Sequence, residues 1–189
     1  MAELATGHLK GVTNGAALVL GSGLGGGIII NGKLFQGSHF QAGELTFLLP
    51  LQMEKLDPSL MQETTLSAIG LITKVNEILA SLDLKDGLLA FKAINAKKEA
   101  VYPIFETYCR NLAITILNLQ TIFDMETFVL GGGISAQSIL IEEVNRQFDK
   151  VHHEIDFIGK IIKRPKIVAC HHNGTNLIGA AYFLKQDNG

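Results

Sequence analysis

Residues 16–34 read AALVLGSGLGGGIIINGKL. This stretch predicts an apolar strand, a glycine-rich turn, a second apolar strand and a hairpin turn at Asn31-Gly32, a pair that tolerates the positive φ of tight hairpins. Five glycines between Gly21 and Gly27, together with the hydroxyl of Ser22, would let backbone N–H groups approach phosphate oxygens closely. A flexible hairpin without a ligand is the alternative, but glycines weaken strands, so such a cluster favours a functional cause.

The glycine-rich stretch does not follow the common nucleotide-binding templates. It lacks the Gly-Lys-Ser/Thr ending of a Walker loop, and no helix is predicted directly after the glycines, as a dinucleotide-binding motif would require. A phosphate loop between two antiparallel strands is instead expected in an actin-like (ribonuclease H-like) α/β lobe.

Length and composition indicate an ordinary globular protein. The 189 residues suit one domain, or one domain with a subdomain, and 47% hydrophobic residues suffice for a core without disulfides. The net charge of −2 gives no electrostatic case for binding nucleic acid or an anionic membrane. Cys109 and Cys170 lack metal-ligand spacing, and no apolar run is long enough to span a membrane. We therefore expect a cytoplasmic protein.

The rest of the chain predicts helices and further strands. Helical periodicity predicts helices over residues 2–10, 59–82, 98–123 and 176–185. Apolar runs predict strands over residues 127–130 and 166–170. Pro103 fits the first turn of its helix, and Cys109 is expected in the core. The order predicts a mixed sheet with an antiparallel hairpin followed by a β-α-β-α unit, flanked by helices.

A second glycine cluster, Gly131–Gly133, follows the strand predicted at residues 127–130. Ligands of open α/β sheets bind at the carboxyl ends of strands, and helix N-termini attract anions. Ser135 is expected to cap the helix that comes next. Either cluster alone is weak evidence, but two clusters at strand ends in one small domain indicate a nucleotide cleft.

Several polar residues stay ambiguous when only the residues are considered. Glu44 follows the predicted hairpin and could accept hydrogen bonds from sugar hydroxyls, although a solvated loop acid is the more ordinary explanation. Glu63 could equally serve the dipole of the helix that begins near it. His171 and His172 adjoin Cys170, but neighbours on an extended segment point in opposite directions and converge poorly on one metal ion.

Taken together, these motifs resemble the ROK family of sugar kinases and repressors. The resemblance rests on LGSGLGGGI at residues 20–28, AGE at residues 42–44 and VLGGGIS at residues 129–135. Gly174 and residues 177–181 match as well, so the similarity spans nearly the whole chain and the order of the motifs is specific.

The resemblance implies which residues contact ligands. The family's second phosphate loop would comprise Gly21, Ser22, Gly23, Gly25 and Gly26. The adenosine side would be lined by Gly131, Gly132 and Gly133. Sugar contacts would come from the positions of Glu44, Glu63 and Phe47. The implied reaction is transfer of a phosphoryl group from ATP, with Mg²⁺, to a sugar.

Two departures from the family pattern bear on function. Phe47 replaces a family histidine and no cysteine lies between it and Glu63, which implies the zinc-free branch that includes β-glucoside kinases and leaves the sugar preference open. The family's aspartate general base and first phosphate motif, which precede the equivalent of Met1, have no counterpart here. Residues 1–189 are therefore expected to be the C-terminal lobe of a sugar kinase, without the N-terminal lobe and inactive alone. Its uncovered apolar face would favour a homo-oligomer, either a dimer, which is the favoured form, or a higher assembly.

Two other interpretations stay open. The chain could be a non-catalytic sugar-sensing or assembly module, the remnant of a ROK-type transcriptional regulator. Its sequence shows no helix-turn-helix pattern and is nearly neutral, so DNA binding by this chain is not expected. The other interpretation is an unrelated α/β binding domain, for which the order of the motifs leaves little room.

Overall fold

A computed structural model describes residues 2–49, 65–154 and 157–171. The strands are β1 (Gly15–Leu20), β2 (Leu24–Ile30), β3 (Lys33–Phe35), β4 (Thr127–Gly132) and β5 (Lys166–Ala169). The helices are α1 (Ala2–Thr6), α2 (Ala68–Ile78), α3 (Gly87–Asn95), α4 (Tyr102–Phe123), α5 (Ser138–Glu154) and α6 (Ile158–Ile161). A 3₁₀ turn spans Leu45–Phe47.

Within the described residues the strands form one mixed sheet in the order β3-β2-β1-β4-β5. The pairs β1–β2 and β2–β3 are antiparallel, whereas β1–β4 and β4–β5 are parallel. Asn31 and Gly32 both have positive φ, 53° and 72°, at the tight turn between β2 and β3. The predicted antiparallel hairpin followed by parallel strands is therefore confirmed.

The main core lies between one face of the sheet and helices α2 to α5. Alternate residues of β1, Ala16, Leu18 and Leu20, point into it, as a period of two requires. The central helix α4 buries Cys109 completely, which confirms the predicted core position, and burial raises the pKa of this thiol. Pro103 lies in the first turn of α4, as predicted.

The opposite face of the sheet carries a smaller apolar cluster. Leu9, Ile29 and Val129 are buried there. The buried carboxylate of Glu3 accepts hydrogen bonds from the main-chain N–H groups of His8 at 2.9 Å and His171 at 2.8 Å. The bond from His171 attaches the N-terminal segment to the chain that follows β5, whereas the bond from His8 lies within that segment.

Some predicted element boundaries differ from the structure. The first helix ends at Thr6 rather than near residue 10, because main-chain N–H groups of the next turn bond to Glu3 instead of continuing the helix. Helix α2 stops at Ile78, two residues before Ala80 takes a positive φ of 51°. Helix α4 begins at Tyr102 rather than near residue 98. The helix predicted at 176–185 lies outside the described residues, as do residues 59–64 of the helix predicted over 59–82.

Ser135 does not cap the following helix, which corrects the prediction. Helix α5 begins three residues later, at Ser138. The Ser135 hydroxyl instead donates a hydrogen bond to the Gly132 carbonyl at 2.8 Å and closes a turn. Helix α3, for which no helix was predicted, begins at Gly87, where the Asp86 carboxylate accepts a hydrogen bond from Leu89 N–H at 2.9 Å.

Helices α4 and α5 are joined by a buried carboxylate. Glu143 accepts hydrogen bonds from the Tyr102 hydroxyl at 3.1 Å, Arg146 Nε at 2.8 Å and Gln147 Nε2 at 2.7 Å. Burial alone would raise the pKa of Glu143, but the hydrogen bonds from Arg146, Gln147 and Tyr102 together lower it below its usual value. The ionised form is therefore the one that stabilises the fold.

We expect Glu143→Gln to lower the free energy of unfolding by about 1–3 kcal/mol at pH 7. Because the folded-state pKa is lowered, this contribution is complete above the usual value near 4.5 and is lost as the pH falls through the lowered pKa. Urea unfolding between pH 7 and pH 3 measures the difference. Glu142→Gln, an exposed neighbour on the same helix, is the control. A difference that does not shrink in acid would contradict the assignment.

Candidate functional site

The two glycine clusters meet at the same edge of the sheet. In the parallel β1–β4 pair, Val19 lies beside Gly131 and Leu20 beside Gly132. The carboxyl ends of both strands, and the turns that follow them, are therefore neighbours in space. The sequence predicted this convergence from the order of strands, and the register confirms it.

Gly132 allows the close approach of β4 to β1. Its φ is +100°, and a Cβ added to it would lie 2.1 Å from the carbonyl oxygen of Leu20. No side chain fits at that distance, and the contacting atom belongs to the backbone, which cannot move aside. By contrast, a Cβ on Gly133 would meet no atom within 4 Å.

The first glycine cluster is divided between a turn and a strand. Only Gly21, Ser22 and Gly23 form the turn, whereas Gly25 and Gly26 belong to β2. The observed turn is therefore shorter than the predicted one. The turn is fixed by a bond from Gly21 N–H to the Gly23 carbonyl at 3.0 Å, and Ala68 N–H donates to the Gly21 carbonyl at 2.8 Å. Among the described residues, the N–H groups of Ser22 and Gly23 have no partner, so they are available to a ligand.

A cleft of about 490 Å³ lies at this edge of the sheet, on the side of the helices. We call it the edge cleft. Its lining includes Gly21, Gly133, Ile134 and Gln137. Five residues at and before the start of α3 also line it: Asp83, Lys85, Asp86, Gly87 and Leu88. The first turn of α2 and the N-terminus of α3 both border it. Partial positive charge at these helix N-termini and the charge of Lys85 favour anions, whereas the carboxylates of Asp83 and Asp86 in the same lining oppose them.

A second hollow, of about 440 Å³, lies on the other face of the sheet. We call it the face hollow. Glu44, Gly25, Gly26, Val19 and Gly131 are among its lining residues. The Glu44 side chain is exposed, and no described residue hydrogen-bonds to its carboxylate. This carboxylate is therefore free to accept hydrogen bonds from a hydroxylated ligand.

Glu44 owes its place beside β2 to a contact between two glycines. Gly43 has φ +93°, and a Cβ on it would lie 2.3 Å from the Gly26 carbonyl oxygen. The Thr46 hydroxyl also accepts a long hydrogen bond of 3.4 Å from Leu24 N–H at the start of β2. These contacts hold the loop of Glu44 against β2, the strand that follows the turn at Gly21, Ser22 and Gly23.

The remaining predicted site residues fall in different places. Phe47 lies in the 3₁₀ turn after Glu44, with 61% of the residue's surface exposed. Glu63 lies outside the described residues, as does His172. Cys170 lies at the end of β5, with its sulfur 3.4 Å from the Ser135 hydroxyl. No group of three His, Cys, Asp or Glu side chains that could hold a metal occurs in the described ranges.

One wall of the edge cleft comes from residues 83–88, which no sequence motif predicted. These residues carry no motif, and they reach the cleft because α2 and α3 pack against each other. One usable signal was the pair Asp86-Gly87 before a helical pattern, since an aspartate there is a favoured helix N-cap. Nothing in the local sequence pointed to Gln137.

Residues 1–187 match the ROK family. The chain belongs to the ROK family. One similar relative is a β-glucoside kinase from Listeria innocua, 29% identical over 180 residues that cover 90% of this chain and 56% of the kinase.

Two solved ROK structures are similar to this one. A ROK family protein from Streptococcus pneumoniae in complex with sucrose is 29% identical, with a TM-score of 0.80 over 99% of this chain and 63% of its own. A ROK family glucokinase from Streptomyces griseus in complex with glucose and AMPPNP is 21% identical, with a TM-score of 0.81 over 98% of this chain and 64% of its own. The predicted actin-like α/β fold is therefore confirmed.

The ROK chain described here spans less than two thirds of each of these relatives, from 56% to 64% of their length. In the ranges that the structure describes, no helix is both long and apolar enough to cross a membrane.

We expect Gly132→Ala to destabilise the fold by about 2–4 kcal/mol, because the added methyl group meets the Leu20 carbonyl and the positive φ is unfavourable for alanine. Gly133→Ala is the matched control, since its methyl group enters open space, and its effect should stay within about 0.5 kcal/mol. Urea unfolding of the two variants measures the difference. Equal stability would mean that β1 and β4 do not approach as described.

Proposed function

We propose that this chain forms one lobe of an ATP-dependent sugar kinase and contributes the nucleotide side and part of the sugar side of its active site. The observation that carries the proposal is the parallel register of Leu20 with Gly132, which places both glycine-lined turns beside the edge cleft. The kinase names and ligands of the similar ROK proteins support the same assignment.

In this proposal the phosphates of ATP lie against the turn formed by Gly21, Ser22 and Gly23. The N–H groups of Ser22 and Gly23 and the Ser22 hydroxyl would donate to phosphate oxygens. The N-terminus of α2, which contacts this turn through Ala68, would add favourable electrostatics. The adenosine would extend along Gly131–Gly133 into the edge cleft. Gly25 and Gly26 would contribute by keeping the adjoining strand free of side chains.

The sugar would bind on the other side of the turn, against the face hollow. Glu44 would accept hydrogen bonds from sugar hydroxyls, and its lack of a partner among the described residues supports this role. Glu63 and Phe47 are proposed as further sugar contacts on the basis of the family resemblance. An exposed aromatic ring such as Phe47 suits the apolar face of a sugar.

The reaction would break the bond between the γ-phosphorus and the β–γ bridging oxygen and form a new bond to a sugar hydroxyl oxygen. Such transfers depend on positioning and charge stabilisation more than on covalent catalysis. This chain's residues would orient the phosphates and the sugar. The hydroxyl proton would pass to the aspartate of the complementary lobe that the family resemblance implies, so we expect negligible turnover from residues 1–189 alone.

Mg²⁺ is expected to accompany the nucleotide, because Mg²⁺ at phosphoryl-transfer sites binds through phosphates and water with one or two carboxylates. Asp83 and Asp86 line the edge cleft, but their carboxylates already accept main-chain N–H groups of Lys85 and Leu89. We assign Mg²⁺ no ligand among the described residues and no step of the reaction. The absence of structural zinc stays a prediction, and so does a homodimer.

The first test is nucleotide binding by the chain itself. Mg-AMPPNP should raise its melting temperature, because a ligand that binds only the folded state stabilises it. A coupled assay with glucose, fructose, N-acetylmannosamine and cellobiose should show no clear turnover. A shift with sugar but none with nucleotide would favour the sensing module instead. Clear turnover would contradict the claim that the other lobe is required.

The second test concerns Glu44. Glu44→Gln should weaken binding of the preferred sugar about tenfold, since a charged acceptor makes stronger hydrogen bonds than a neutral amide. Calorimetric titration with the same four sugars measures the effect. Glu99→Gln, an exposed acid between α3 and α4, is the control and should bind sugar normally. Unchanged affinity in Glu44→Gln would remove Glu44 from the sugar site.

A further inference from the structure

One fully buried amide holds a wall of the edge cleft. Asn76, on α2, has 0% of its surface exposed, and its Nδ2 donates to the carbonyl oxygens of Leu84 at 3.3 Å and Asp86 at 2.9 Å. Its main-chain carbonyl accepts from Ser81 N–H at 2.9 Å. Three bonds from a single residue thus fix residues 79–86, which we call the cleft loop.

The cleft loop carries charged groups into the edge cleft. Asp83, Lys85 and Asp86 all line it. Within the loop, Asp83 Oδ1 accepts from Lys85 N–H at 2.8 Å, and the Ser81 hydroxyl donates to the Asp83 carbonyl at 3.0 Å. Asp86 then caps α3, so the position of the loop also sets the position of that helix N-terminus.

The groups that surround the side chain of residue 76 require a hydrogen-bond donor there. Both partners of Nδ2 are carbonyl oxygens, which only accept, so the orientation of the amide is fixed. The Oδ1 atom is buried and has no hydrogen-bond partner among the described residues. A buried polar atom without a partner is unfavourable for stability, and an apolar side chain would avoid it. The amide is therefore better explained by what its Nδ2 holds in place.

We propose that Asn76 is a positioning residue for nucleotide binding, acting through the cleft loop and the N-terminus of α3. This inference rests on the proposed function, because it assumes that the edge cleft receives the nucleotide. Without the Nδ2 donor, the carbonyl groups of Leu84 and Asp86 lose their partner, and only the main-chain bond from Ser81 N–H still joins the cleft loop to Asn76. Glu44 lies in the face hollow, on the other face of the sheet, and does not depend on this loop.

The experiment compares Asn76→Leu and Asn76→Asp with Asn95→Leu. Leucine removes the amide, and aspartate keeps its shape but replaces the donor with an acceptor. Asn95 is the matched control, because its Nδ2 donates only to the Phe91 carbonyl within α3, at the end away from the cleft. The dissociation constant of Mg-ADP should rise at least tenfold in both Asn76 variants and stay unchanged in Asn95→Leu. Sugar affinity should stay unchanged in all three.

Hydrogen–deuterium exchange supplies a local readout. Mg-ADP should slow amide exchange in residues 81–90 of the unmodified chain but not of the Asn76 variants. If both Asn76 variants fail to fold, Ser81→Ala is tested instead, because it removes the hydroxyl bond to the Asp83 carbonyl and so loosens the cleft loop. Normal ADP affinity in Ser81→Ala overturns the proposal.

Three outcomes oppose the inference. Normal ADP affinity in folded Asn76 variants overturns it, and so does an equal loss of ADP and sugar binding, which would indicate a general structural role. No ADP binding by the unmodified chain overturns the proposed function, and this inference falls with it.

Discussion

The site depends on one constraint, the close parallel pairing of β1 with β4 up to Leu20 and Gly132. The backbones approach so closely there that a Cβ on Gly132 would lie 2.1 Å from the Leu20 carbonyl oxygen. This approach makes neighbours of two glycine-lined turns that are far apart in the sequence. Because each turn follows the carboxyl end of a parallel strand, both open toward the edge where α/β sheets bind ligands.

Helices, together with the sheet, position the walls of the edge cleft. Helix α2 contacts the first turn through the bond from Ala68 N–H to Gly21, and it holds the cleft loop through Asn76. One helix therefore positions two walls of the edge cleft, and its own N-terminus borders the same space. The close contact of Gly43 with Gly26 plays the corresponding part for Glu44 on the other face of the sheet.

Local chemistry explains why parts of the site were predictable and others were not. The Asn31-Gly32 turn and the apolar strands follow from nearest-neighbour preferences and period-two burial. Ser135 has the residue type of a helix cap, but its hydroxyl donates to the Gly132 carbonyl because the tight turn after β4 brings these two groups together. Gly25 and Gly26 belong to β2 because pairing with β1 extends further than the glycine content suggested.

The sequence by itself determined the hairpin, the order of strands, the ROK family resemblance and the two glycine clusters, because these depend on short motifs and on local periodicity. Only the tertiary structure decided which residues enclose the edge cleft. Asp83, Lys85 and Gln137 reach it through helix packing, and Asn76 acts through hydrogen bonds to a loop eight to ten positions away. Such contacts are set by how buried surfaces fit together, and no local pattern of residue types encodes them.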